Sequence, residues 1–258
     1  MAKPIPWSYS RLNDFEKCPR MFQGKHVTKE FPAGDFEVYH LKRGSIIHET
    51  LQKYLETGNR AVLIPEMNPD LIYTTANPEH MKYNGKSVLK HPLEFLLPIL
   101  DKLRASEGLD IENQKAFNTK FEEVSWFSNK LAWFRIIMDV KAFSDPTTLV
   151  IIDWKSGKPF GEIDQLKMAA GVGMKMHPEV TKVLVAYIFV DHPDRQPLMA
   201  EYTRADLDGI WQEFGDRAEM IQLALESGQW EPKPSKFNCT YCPALPQHCQ
   251  YKEEYGDV

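Results

Sequence analysis

No stretch of these 258 residues is apolar for long enough to span a bilayer. The longest candidate, Val183 to Val190, is strand-sized, well short of the roughly 18 residues a membrane helix needs. A surplus of positive charge is also missing. The 31 lysines and arginines are outnumbered by 36 acids, a net charge of −5. That excludes a generally basic coat for nucleic acid, but not a site in which metal ions hold a phosphate. Met1 to Ser10 lacks the apolar core of a secretion signal, so a cytoplasmic location is expected. There is no internal repeat and no low-complexity segment. With 43% hydrophobic and 26% charged residues, the composition is that of an ordinary globular protein.

Only four cysteines occur, and a chain of this length needs no disulfide staples. Cys18 stands alone near the start, whereas the others fall in a proline-rich tail as Cys239-x2-Cys242-x6-Cys249. A Cys-x-x-Cys pair brings two thiolates to one soft metal, and two more cysteines can close the shell. Four thiolates suit either zinc or an iron–sulfur cluster, and spacing does not separate them. His248 can replace Cys249, which would favour zinc. A shared site would join the two ends of the chain across 221 residues, where a crosslink is most effective in the chain-entropy model.

Periodicity predicts a short helix after Ser8, ending near Cys18 because of Pro19. A second helix is expected from Ser45, with Ile47, Leu51, Tyr54 and Leu55 as its apolar stripe and Gly58 as its stop. Residues 59–110 read as a helical, loop-rich insertion. Strands are predicted at Phe117–Val124, Leu131–Val140 and Leu149–Trp154, the last following an Asp145-Pro146 turn. A helix near 162–176, strands at Lys182–Val190 and Leu198–Tyr202, and a long helix Ala205–Ser227 complete the pattern. The expected fold class is α/β (α+β): a central mixed β-sheet containing an antiparallel meander, flanked by helices.

The segment Ile151-Ile152-Asp153-Trp154-Lys155-Ser156-Gly157 carries the clearest chemistry. Alternation along a strand puts Asp153 and Lys155 on one face, about 7 Å apart. Pairing with the preceding strand across Asp145-Pro146 would bring Asp139, after Ile136-Ile137-Met138, towards Asp153. Two carboxylates and a lysine are what metal-assisted phosphodiester hydrolysis needs. The acids hold a hard divalent cation, and the ammonium steadies developing charge.

Taken in order, these pieces resemble the RecB-like branch of the PD-(D/E)XK nuclease superfamily, which includes the CRISPR adaptation nucleases and the AddB-type subunits. The matching residues are Trp7-Ser8-Tyr9-Ser10-Arg11-Leu12, Phe15, Cys18-Pro19-Arg20, Gly44-Ser45-Ile46-Ile47-His48, Asp139, Asp153-Trp154-Lys155, Gln165 and the cysteine tail. The resemblance implies a single restriction-endonuclease-like domain over 1–258. Its parts would be N-terminal helices (1–58), the insertion (59–110), a nuclease core (111–230) and the tail (231–258). It implies His48, Asp139 and Asp153 as ligands of Mg²⁺ or Mn²⁺, joined by the Trp154 carbonyl, with Lys155 acting on the attacking water and Gln165 positioning the site. Cys18, Cys239, Cys242 and Cys249 would hold a [4Fe-4S] cluster, with Zn²⁺ as the alternative. The implied activity is a metal-dependent DNase, an exonuclease on single-stranded or end-exposed DNA, in repair, recombination or phage DNA processing, with a possible recombination or replication protein as partner and no membrane. Ala169 stands four residues beyond Gln165, where the family often has a tyrosine.

Two other function classes fit the residues: a non-catalytic DNA-binding or assembly module on the same fold, and a zinc-clasped nucleic-acid binder. The resembled family often has another acid on the first strand, where Glu122 and Glu123 lie, and alternation lets only one of them face the site. Lys82, Lys86, Lys90 and Lys158, interleaved with Tyr83 and His91, read either as DNA-backbone contacts or as a solvated face.

Overall fold

Ser8 accepts the amide of Arg11 at 3.5 Å, so the first helix, α1 (Tyr9–Lys17), starts where its unpaired amides find an acceptor. Pro19 ends it. Cys18 is extended (φ −163°, ψ 108°), and α2 (Pro19–Phe22) restarts before a π-helical turn, Gln23–Val27. The structure, a computed structural model, describes residues 5–31, 39–63, 80–83, 86–89, 93–157, 159 and 162–255. Helix α3 (Tyr39–Thr57) stops at Gly58, whose φ of +68° suits glycine and whose amide reaches the Tyr54 carbonyl at 2.7 Å. Ser45 is not its cap. The helix begins six residues earlier, because no proline or turn signal interrupts Tyr39 to Gly44.

A hairpin of β1 (His80–Tyr83) and β2 (Lys86–Leu89) lies in the region expected to be helical, and α4 (Leu97–Arg104) follows it. Then come β3 (Glu107–Phe117), β4 (Glu123–Val124), β5 (Phe134–Asp145), β6 (Thr148–Lys155), α5 (Asp164–Met176), β7 (Lys182–Phe189) and β8 (Leu198–Thr203). The chain closes with α6 (Leu207–Ser227), α7 (Lys236–Thr240) and α8 (Tyr251–Tyr255). Six strands form one mixed sheet in the order β4-β3-β5-β6-β7-β8. The β5–β6 and β7–β8 pairs are antiparallel, and β6–β7 is parallel with α5 as the crossover that a parallel pair requires. The strand expected at Phe117–Val124 is displaced. The long strand ends at Phe117, a turn occupies residues 118–122 with Phe121 at φ 62°, and only Glu123–Val124 pairs back.

The chain divides into two compact units, one of Met1–Phe36, Gln114–Ile136 and Gly209–Val258, the other of Glu37–Asn113 and Ile137–Asp208. In the second, alternation along β6 sorts its side chains. Ile152 and Trp154 join Val140, Ala186 and Ile188 in a core covered by Ile47, Leu51 and Tyr54 of α3 and by Leu100 and Leu103 of α4. The opposite row faces α5, where Gly173 comes so close that a Cβ would lie 2.7 Å from the Leu149 side chain. Asp153 and Lys155 continue that row. The first unit is held by aromatic packing, including Phe121 against Trp211 (4.8 Å between centroids) and Phe22 stacked on Trp230 (6.0 Å). Glu16 of α1 takes two bonds from Arg217 of α6, at 2.6 and 2.9 Å. Among the described residues, no helix is long and apolar enough to cross a membrane.

Candidate active site

The β5–β6 register pairs Val140 with Ile152, and one step further it sets Asp139 against Asp153. There the ladder changes character. The Trp154 amide is bonded by the Asp139 carboxylate, with Oδ2 accepting at 2.8 Å. Asp139 therefore lies within β5 rather than at its end, and a backbone donor fixes its rotamer. Both aspartates are buried at 8% exposure, which is rare for acids without a counter-charge.

Helix α3 brings His48 to this point. Its Nε2 lies 3.0 Å from the Trp154 carbonyl oxygen, and its Nδ1 lies 3.4 Å from Asp139 Oδ2 and 3.5 Å from Glu112 Oε1. Ligand atoms of His48, Glu112 and Asp139 all lie within 4.8 Å of one another, the geometry of a cation site. Asp153 adjoins this triad and is ordered from the other side. Gln165 Nε2 donates to its Oδ2 at 2.9 Å, and Lys155 Nζ lies 2.7 Å from its Oδ1. That oxygen makes an ion pair with the ammonium but no well-directed hydrogen bond. Lys155 also donates to Gln165 Oε1 at 3.1 Å and sits 4.9 Å above the Tyr187 ring.

The electrostatics follow from that crowding. Burial, and after it the neighbouring charge of Asp153, pushes the Asp139 carboxyl up to about 7. Burial likewise raises the Asp153 carboxyl, opposed by Lys155. For His48, burial favours the neutral ring, but the Glu112 contact and the charges of Asp139 and Asp153 outweigh it and raise its pKa. Three neighbouring acids, one of them unable to ionise fully at neutral pH, are a set of groups that an added positive charge would stabilise.

His48, Asp139, Asp153, Trp154, Lys155 and Gln165 are thus brought together. Two neighbours were missed from the sequence. Glu112 takes the place expected for Glu122 or Glu123, neither of which joins the triad. Glu123 pairs with Lys115 at 2.8 Å, and Glu122 accepts from Asn118 at 2.7 Å. Their error has the same origin as the misplaced strand: the long strand runs ten residues earlier and carries Glu112 at φ 50°, a conformation that alternation does not foresee. Tyr187 enters from β7, in register with Asp153, and its hydroxyl donates to Gln165 Oε1 at 3.4 Å. Lys90, His91 and Lys158 lie outside the described residues, as do the side chains of Lys82, Tyr83 and Lys86.

The cysteines belong to the first unit. All four line one small cavity with Arg20, Met21, Phe31 and Tyr251. The tail is bonded there by the Lys233 amide to Cys18 Sγ (3.4 Å), by Asn238 to the Lys17 carbonyl (2.9 Å) and by Arg20 to the His248 carbonyl (2.8 Å). No three of the sulfurs lie within 4.8 Å of one another. Four thiolates on one zinc, with bonds of about 2.3 Å, would sit about 3.8 Å apart. Cys249 rather than His248 lines the cavity, and the His248 ring accepts the Leu245 amide at 3.1 Å. Burial raises the Cys242 thiol.

Comparison with known proteins adds three findings. A search of curated proteins finds no match. Among solved structures, a candidate exonuclease from Eubacterium rectale superposes with a TM-score of 0.53 at 13% identity, covering 98% of this chain and 89% of its own, which is a likeness of fold. SSO0001 aligns over 96% of this chain and 89% of its own with a TM-score of 0.43 and 14% identity. The profile of one family matches residues 6–250, a span holding both the acidic site and all four cysteines, so the chain belongs to the PD-(D/E)XK nuclease superfamily.

Proposed function

We propose that this protein is a Mg²⁺- or Mn²⁺-dependent DNA exonuclease of the RecB-like branch, acting in the cytoplasm on single-stranded or end-exposed DNA during repair, recombination or phage DNA processing. One observation carries the reading: Glu112, Asp139 and His48 converge at β5 and β6, with Asp153 opposite Asp139 in the ladder and Lys155 beside it. Carboxylate oxygens suit a hard cation, and the imidazole shifts the preference towards Mn²⁺. The raised Asp139 carboxyl supports the fit, since a divalent ion supplies the charge this crowd of acids lacks. When bound, such a cation polarises a phosphate oxygen and makes water a usable nucleophile at neutral pH.

The chain's own groups do the rest. Asp139, held by the Trp154 amide, and Glu112 set the acidic wall. Gln165 fixes the Asp153 rotamer and, through its Oε1, the Lys155 ammonium. Lys155 is thereby placed to orient the attacking water and to offset the charge that grows on the phosphate. The named exonuclease among the structural neighbours supports the choice of reaction. Cleavage of end-labelled single- and double-stranded DNA with Mn²⁺ tests it: the parent degrades at least one substrate, and Asp153→Ala loses that activity. A parent that cuts neither, or a variant that cuts as well, refutes the enzyme and leaves the non-catalytic module.

The cysteine cavity supports a second element of the proposal, a [4Fe-4S] cluster on Cys18, Cys239, Cys242 and Cys249. All four cysteines line one cavity, and backbone amides bond Cys18 and Cys242 as they would a thiolate-bound group. Brown protein with absorbance near roughly 400 nm is expected from thiolate-ligated iron; colourless protein with stoichiometric zinc, prepared without oxygen, refutes it.

A further inference from the structure

Arg43 lies on the same helix as His48, five residues earlier, and its side chain is only 5% exposed. Both of its terminal nitrogens donate to Asp191: Nη1 to Oδ2 at 2.8 Å, and Nη2 to Oδ1. Asp191 Oδ2 also accepts the backbone amide of Gly157 at 2.6 Å. Gly157, at φ +86°, is the sharp exit from the strand that has just delivered Asp153, Trp154 and Lys155. The neighbouring residues repeat the attachment. Val190 donates its amide to the Lys155 carbonyl at 3.0 Å, and the His192 ring lies 3.1 Å from the Gly157 carbonyl.

A buried ion pair is an expensive way to satisfy one backbone amide, since a neutral acceptor would serve and desolvation of the charges offsets much of their attraction. What a guanidinium–carboxylate fork provides is geometry. Two parallel bonds fix distance and angle together, which a lysine or an amide does not reproduce. Here the fork joins the helix that presents His48 to the loop after β7, and Asp191 passes the attachment on to the Gly157 amide just beyond the Asp153–Lys155 strand. Its effect is felt where that helix and that strand meet, at the 3.0 Å approach of His48 to the Trp154 carbonyl.

We propose that Arg43 and Asp191 are positioning residues for the metal-binding acids, locking His48 on α3 to the backbone of Trp154 and Lys155 in β6. The proposal rests on the nuclease reading above. An error of about 1 Å in such a constellation costs on the order of a hundredfold in rate, and losing a supporting partner costs about 10–100-fold in metal affinity or activity.

Three variants of the full chain test this by Mn²⁺ affinity from calorimetry, melting temperature, and kcat and KM on end-labelled DNA. Asp191→Asn removes the negative charge opposite the buried Arg43 guanidinium and should lower the melting temperature most. Arg43→Met with Asp191→Leu removes both charges and should recover that temperature while still binding Mn²⁺ roughly tenfold or more weakly, with kcat down by a similar factor and KM nearly unchanged. Arg43→Lys keeps the charge and the fold but not the fork, and should show the same loss of affinity and kcat; it decides the matter if the double variant does not fold. Parental affinity and kcat in either, or activity returning together with stability in the double variant, overturns the positioning role. A parent that neither binds Mn²⁺ nor cuts DNA overturns the nuclease reading and this proposal with it, whereas an active parent with indifferent variants removes this proposal alone.

Discussion

The Asp139 carboxyl offers a direct probe of cation binding at the acidic site. Its folded-state pKa of about 7 lies above the ordinary 3.8 because burial, and then Asp153, disfavour the anion. A raised carboxyl stabilises the fold fully below pH 3.8 relative to higher pH, and that contribution is lost as pH rises through 7. A rise from 3.8 to about 7 corresponds to at most on the order of 4 kcal/mol. The metal-free protein should therefore lose stability between about pH 4 and 7. A cation that binds the ionised form restores it, so Mn²⁺ should raise the melting temperature little at about pH 5 and strongly at about pH 8. Between those pH values the carboxyl passes through only about two units of its titration, on the order of 3 kcal/mol, so at roughly 2–4 °C per kcal/mol for a chain of this size the difference is at most about 6–12 °C. Differential scanning calorimetry with and without Mn²⁺ measures it. Asp139→Asn should be more stable than the parent at pH 8 without metal and should lose the Mn²⁺ response. A metal-induced shift that is the same at both pH values, or one that survives in Asp139→Asn, refutes this reasoning.

Other substitutions separate the roles of the remaining groups. Lys155→Met should cut DNA cleavage by about 10²–10⁴-fold while Mn²⁺ affinity, read by calorimetry, holds or tightens because a nearby positive charge is gone. Glu112→Gln should weaken Mn²⁺ binding by roughly tenfold or more, and unchanged affinity would remove Glu112 from the site. Cys242→Ala should abolish the visible absorbance and lower stability by up to roughly 4–5 kcal/mol in the chain-entropy view of a clasp across so long a loop; an unchanged melting temperature with metal content retained would count against the clasp.

Segments whose signals are local were readable before any coordinates. Ser8 caps its helix and Pro19 breaks it at Cys18, because capping and proline geometry act over three or four residues. The apolar strands β6 and β7, with α5 between them, sit within a residue or two of expectation. The charge-rich strand Glu107–Phe117 was not legible. Its acids and amides hide the alternation, and it is held as a strand by partners distant in the chain. Glu112 was lost with it.

Residue pattern pointed to Asp139, Asp153 and Lys155, since a strand's two-residue period already puts Asp153 and Lys155 on one side, and the family resemblance added His48 and Gln165. Whether those groups meet is a matter of pairing between segments up to about a hundred residues apart, and only the folded sheet settles it. Register brings Asp139 to Asp153, a bend at Glu112 turns a third acid inward, and Tyr187 arrives from a parallel neighbour. The same holds for charge. A carboxylate's identity is written in the chain, but its proton affinity depends on how much water and which other charges surround it, and these exist only once the layers have packed.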